Sequence, residues 1–208
     1  MTAESYLELS SIEDDGAPLP KATTGFWIKH RTSLTLVAIL LFGLLVRTWN
    51  LMALGFNSDE AVYAGQASSI AGNLELLPYF PIFRAHPLLF QTLISIPYQF
   101  VVSPLVGRLM SVAFGLGTIA LVFLVGKTLY TKQVGLIAAL IIALMPYHVV
   151  VTRQILLDGP LAFFATLSLL LLAMYGKSRN LLWFYAAFAA MGLTVLAKET
   201  GVIMFGAI

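Results

Sequence analysis

The sequence predicts an all-α, polytopic transmembrane protein with an external loop that carries short interfacial helices. Three observations carry this expectation. Hydrophobic residues make up 59% of the 208 and charged residues only 11%, with a mean hydropathy of +0.90; soluble domains carry roughly 25% charged residues. The apolar residues are gathered into runs that reach or approach the ~20 residues a helix needs to cross the hydrocarbon core. In lipid every backbone polar group must be paired within its own segment or in a closed barrel. The ~10-residue alternating strands of a barrel do not occur, so the runs are helices.

The same composition excludes several function classes. A net charge of +2 leaves no electrostatic footprint for nucleic acid. The absence of cysteine removes disulfides, thiolate catalysis and Cys-ligated metals.

Taken in order, residues 1–28 hold Glu4, Glu8, Glu13, Asp14, Asp15, Pro18 and Pro20 and read as a disordered cytoplasmic tail. A membrane domain occupies 29–208. Lys29, His30 and Arg31 precede the first span, 32–49, an uncleaved anchor with Arg47 near its far end, where the side chain is expected to snorkel to the interface. The polar stretch 50–87 contains Asn57-Ser58-Asp59-Glu60, which opens a short helix with Ser58 at the cap. Pro78, Pro81 and Pro87 break up the rest of that stretch. Segment 88–102 is short and carries Pro97. The remaining spans are 105–125, 134–151, 159–175 and 181–197. A further apolar run, 201–208, reads as the first third of a sixth span, so the chain is expected to be the N-terminal part of a longer protein.

Basic loops set the topology. Lys29/Arg31, Lys127/Lys132 and Lys177/Arg179 all fall on the cytoplasmic side only if 88–102 does not cross. It is therefore read as an interfacial or re-entrant helix. The N-terminus is then cytoplasmic, and loop 50–104, the 153–158 connection and Lys198-Glu199 share the external face.

That face collects the unusual charges. Asp59 and Glu60 are adjacent carboxylates at the start of a short helix just outside the first span. They read either as a solvated capping pair or as a general base at the membrane surface, where an apolar boundary raises a carboxylate's pKa. Asp158, in Leu157-Asp158-Gly159-Pro160, reads as a helix N-cap with proline in the first turn, or as a second acidic group of one site. Arg84, His86, Arg108, Arg153 and Lys198 are cations on or near that face. Single cations snorkel or meet lipid headgroups; five beside two acidic sites fit an anionic phosphate. No HExxH, Walker loop or GxGxxG is present, and His86 and His148 are isolated, so no metal site is indicated.

The ordered set resembles the N-terminal part of the protein O-mannosyltransferase and lipid A aminoarabinose transferase superfamily, membrane glycosyltransferases of the C fold class. Asp59-Glu60 matches the acidic pair after the first span, with Tyr63-Ala64 in step. His86-Pro87, Arg108, the Lys127–Lys132 turn, Arg153 with Leu157-Asp158, Gly192-Leu193 and Ala197-Lys198-Glu199 match further elements in order over 33–208. Two positions depart. Val62 stands where some relatives have arginine, and His86 where the aminoarabinose enzymes have lysine, which fits a hexose-type donor better.

The resemblance implies transfer of a sugar from a polyprenyl-phosphate carrier to a protein, lipid or glycan acceptor on the external or lumenal face. Asp59 would be the general base with Glu60 beside it, the reaction would invert the anomeric carbon, and no cofactor or nucleotide would be needed. Membrane lipids would surround the chain, in the plasma membrane of a prokaryote or the endoplasmic reticulum of a eukaryote. Two other readings stand beside it: a transporter or flippase for a lipid-linked sugar, which would use the same cations without a base, and a non-catalytic membrane partner.

Overall fold

The computed structural model describes residues 26–53, 55–82, 86–203 and 206. The expected tail therefore lies outside the described residues up to position 25, as do Arg84 and most of the run 204–208. The chain resolves into two units, Met1–Arg31 and Thr32–Ile208; the packing and sites described are those of the second.

The described residues form helices and no strand. They are α1 (Phe26–Thr48), α2 (Ser58–Ile70), α3 (Leu89–Tyr98), α4 (Pro104–Leu129), α5 (Lys132–Leu144), α6 (Pro146–Val151), α7 (Asp158–Ser178) and α8 (Leu181–Ala197). Single 3-10 turns lie at Leu74–Leu76 and Glu199–Val202. Three stretches, His30–Thr48, Pro104–Leu129 and Asp158–Ser178, are long and apolar enough to cross a membrane. Helix α3 has ten residues, roughly 15 Å at 1.5 Å per residue, about half the hydrocarbon thickness. As expected for 88–102, it is too short to cross.

Local chemistry sets the helix ends. Asn57, one residue before the expected Ser58, caps α2: its Oδ1 accepts the Glu60 N–H at 2.7 Å. Ser103 caps α4 with Pro104 in the first turn, where a missing N–H is harmless. Thr131 caps α5 and Asn180 caps α8. Asp158, read as either an N-cap or a second acidic group, is the first residue of α7; the cap position is Leu157, without a side-chain bond. Its carboxylate is thereby left for a tertiary partner.

The stretch 134–151, expected as one span, is two helices. Met145 leaves the helical region (φ −59°, ψ 115°) and Pro146 starts α6. Proline carries no N–H and pushes the preceding residue out of the α region, so the break is written locally. It leaves the carbonyl of Ala143 short of a helical partner, and the guanidinium of Arg47 takes it at 3.2 Å.

Helix α4 packs against both α5 and α7, and α7 and α8 form a hairpin. At the α4–α5 contact a Cβ on Gly126 would lie 2.7 Å from the Cα of Gly135, so only glycine allows this backbone approach. One core gathers Ile39, Ile119, Phe123, Ala139 and Ala143. The other joins α2, α3 and the 153–158 connection through Tyr63, Ala67, Phe90, Ile94, Ile155 and Leu157. This second core positions the candidate site.

Candidate functional site

The anchor of the site is Glu60. It is 1% exposed, and its two oxygens meet Arg108, itself buried, at 2.7 Å (Nε) and 2.8 Å (Nη2). The Glu60 Oε1 also accepts the backbone N–H of Ile155 at 3.1 Å. Arg108 further donates to the carbonyls of Leu51 (2.7 Å) and Gly55 (3.3 Å) and lies over the Phe56 ring. One bidentate pair thus ties together loop 50–57, α2, α4 and the 153–158 connection. A carboxylate already matched by a guanidinium fork and an N–H is poorly placed to accept a substrate proton. Tyr98, in the same core, has its phenol pushed up to about 12 by burial and then by the Glu60 charge.

Asp59 differs completely from its neighbour. It is exposed and has no hydrogen bond among the described residues. Near it sits Tyr63, buried, whose phenol is held above its ordinary pKa by burial and then by the charges of Asp59, Glu199 and Asp158. Three carboxylates from three parts of the chain therefore lie within electrostatic reach of one phenol. Two carry a cation. Lys198 Nζ meets Asp158 Oδ1 at 2.9 Å, and His86 Nδ1 lies 3.0 Å from both oxygens of Glu199. The His86 ring stands edge-on to Tyr63, centroids 6.1 Å apart. Glu199 is held below its ordinary pKa, first by the His86 hydrogen bond and then by a backbone N–H.

The sequence-derived candidates thus divide into three groups. Asp59, His86, Asp158 and Lys198 form one cluster with Tyr63 and Glu199. Glu60 and Arg108 form the buried clamp behind it. Arg153 is elsewhere: its guanidinium donates to the carbonyls of Trp49 (2.6 Å), Val46 (3.4 Å) and Asn50 (3.5 Å), satisfying the orphan acceptors at the end of α1. Arg84 lies outside the described residues. Among the described residues no group of three or more His, Asp or Glu is arranged to hold a metal ion.

Sequence reasoning did not single out Glu199 as a site residue, although it follows Lys198 directly. It also misread Arg47. That side chain is 0% exposed and does not snorkel. It donates to Thr152 Oγ1 (2.9 Å), to the Gly43 and Ala143 carbonyls and to His148 Nδ1 (2.8 Å). The signal available was Pro146, whose helix break supplies the unpaired carbonyl.

Among curated proteins, none matches the chain significantly. A family model described as dolichyl-phosphate-mannose-protein mannosyltransferase matches residues 85–208, more than half of the chain. The match takes in His86, Arg108, Arg153, Asp158, Lys198 and Glu199, while Asp59, Glu60 and Tyr63 precede it and join these residues only in space. The described residues are helical, three of their helices are able to span a bilayer, and this match over more than half of the chain shows that the protein belongs to the dolichyl-phosphate-mannose-protein mannosyltransferase family of membrane glycosyltransferases.

Proposed function

We propose that the cluster around Asp59 transfers a sugar from a polyprenyl-phosphate carrier to an acceptor hydroxyl on the external or lumenal side of the membrane. The observation that carries this reading is the contrast between the two adjacent carboxylates. Glu60 is consumed by Arg108 and Ile155, and Asp59 is exposed and uncommitted in a cluster that also holds His86 and Lys198.

The chemistry follows from those positions. The acceptor oxygen attacks the anomeric carbon as Asp59 takes its proton. The bond from that carbon to the carrier's phosphate oxygen breaks with its electron pair, through an oxocarbenium-like state. The leaving group is a phosphate monoester, which needs fixed positive charge more than a proton. His86 and Lys198 would supply it, each already oriented by a carboxylate. A single base without an enzyme nucleophile inverts the anomeric centre. Tyr63, kept as a neutral phenol, adds a hydrogen-bond donor. The sugar and the acceptor belong to the same proposal: a mannose-type hexose fits the family, and a protein hydroxyl fits its name.

Asp59→Asn keeps the side chain's shape and removes the base. General-base catalysis is worth about 10²–10⁴-fold, so single-turnover transfer from a polyprenyl-phosphate sugar should fall by at least ~100-fold with donor binding nearly unchanged. Normal transfer by this variant would end the general-base role. Transport of the lipid-linked sugar by a variant that has lost transfer would instead favour a flippase.

A further inference from the structure

A cavity of about 490 Å³ lies beside the end of α1, walled by Trp49, Asn50, Asn57, Val150, Arg153 and Gln154 among others. It is separate from the cluster around Asp59: none of Asp59, Tyr63, His86, Asp158 or Glu199 lines it. Two features say what it takes.

The first is charge. No carboxylate of the described residues lines the cavity. Arg108 reaches it, but its charge is matched by Glu60. Arg153 faces only carbonyls, through its Nη groups, and its Nε–H has no acceptor among the described residues. The amide of Gln154 receives the Asn57 Nδ2–H on Oε1, which leaves its NH₂ open. Asn50 contributes a second uncommitted amide. An unmatched guanidinium with two amide donors is a receptor for an oxyanion.

The second is the approach to it. Val37, Leu41 and Leu45 along α1, and Trp49 in the turn that follows it, recur every four residues and are 51%, 60%, 55% and 71% exposed. Residues spaced by four lie one above another on a helix face, so an apolar stripe runs along a membrane-spanning helix and ends in the cavity wall. Tryptophan is enriched where a spanning helix meets the headgroups, which fits Trp49 at the end of this stripe.

We propose that this cavity binds the phosphate headgroup of an anionic phospholipid, with its acyl chains laid along the Val37–Leu41–Leu45 stripe. Because the candidate catalytic residues do not line the cavity, such a lipid would be neither donor nor acceptor. It holds the end of α1 against the 153–158 connection, and the site stands independently of the transfer chemistry.

The test uses Trp49 as reporter, in a chain carrying Trp27→Phe and Trp183→Phe. The protein is reconstituted in phosphatidylcholine vesicles containing acyl-brominated phosphatidylglycerol or, at equal mole fraction, acyl-brominated phosphatidylcholine. A basic residue near the surface is worth about 1 kcal/mol toward an anionic lipid, so the relative association constant at Trp49 should favour phosphatidylglycerol about five-fold. Gln154→Glu keeps the oxygen that pairs with Asn57 and adds a negative charge to the cavity; it should abolish the preference. Gln154→Leu, which removes a donor without adding charge, should reduce it. Equal quenching by both lipids in the parent chain would overturn the proposal, as would a preference that survives Gln154→Glu. Loss of the preference in inorganic phosphate but not in chloride of equal ionic strength would assign the cavity to a free anion and equally overturn the lipid reading.

Discussion

Arg47 and Arg108 are both buried at the ends of membrane-spanning helices, and they are satisfied in opposite ways. Arg108, 2% exposed, has a carboxylate: Glu60 accepts two of its N–H groups. Arg47, 0% exposed, has none among its partners, which are a hydroxyl, two carbonyls and an imidazole nitrogen. Because a guanidinium only donates, His148 accepts on Nδ1 and its proton sits on Nε2, a buried atom without a partner among the described residues. The first arrangement neutralises two charges that must stay together. The second spreads one charge over dipoles that a helix break has exposed. The difference teaches that a buried charge in this fold marks the place where irregular backbone needs an organiser. At Arg108 this is loop 50–57; at Arg47 it is the Met145–Pro146 break.

The comparison can be broken most severely at Arg108. Arg108→Met leaves Glu60 buried and unmatched, and removing one partner of a buried pair costs about 3–5 kcal/mol. In detergent, thermal unfolding monitored by circular dichroism should show a large loss of stability. The double variant with Glu60→Gln should recover much of it. A single variant as stable as the parent would show that Glu60 is not held as described. Arg47→Met should cost less, because no charge is stranded. It orphans the Ala143 carbonyl and removes the hydrogen-bond donor to Thr152, a penalty of about 1–3 kcal/mol per buried unsatisfied group. If the same unfolding measurement ranks Arg47→Met above Arg108→Met, the distinction between the two arginines fails.

The smallest effect sharpens the electrostatics of the clamp. Tyr98 is raised to about 12, by burial before the Glu60 charge. A phenol whose folded pKa lies above its unfolded value of about 10 keeps its proton while the unfolded chain loses one. Stability is therefore unaffected below pH ~10 and falls as pH rises from there towards 12. A difference titration of phenolate absorbance between the parent and Tyr98→Phe should place this tyrosine above the exposed ones. Glu60→Gln should bring it down only slightly, since burial is the larger cause.

Much of the architecture was legible in the sequence, for reasons that are local. Apolar runs declare membrane helices because lipid leaves a chain few alternatives, and segment 88–102 was too short and too interrupted to be one. Pro146 was legible in principle as a break inside 134–151, yet hydropathy alone runs straight through it. The site was legible in its residue types and less so in its groupings. Asp59 and Glu60 are neighbours in the chain with near-identical chemistry, and only the rotation of α2 sends one to Arg108 and leaves the other open. Arg153 and Asp158 are five residues apart, and the turn between them sends them to different places: the end of α1 and the cluster beside Lys198.

By itself the sequence determined an all-helical membrane protein, the acidic pair after the first span and the ordered basic residues beyond it. These depend on composition, spacing and local capping, all of which act within a few residues. Tertiary structure alone decided that Glu60 is a clamp, that Arg47 is buried rather than snorkelling, that Glu199 meets His86 and Lys198 meets Asp158, and that Arg153 closes α1. Each of those outcomes pairs residues roughly forty to more than a hundred positions apart. Which donor meets which acceptor at that separation is set by helix packing and by the need to satisfy every buried polar group at once, and no local rule contains it.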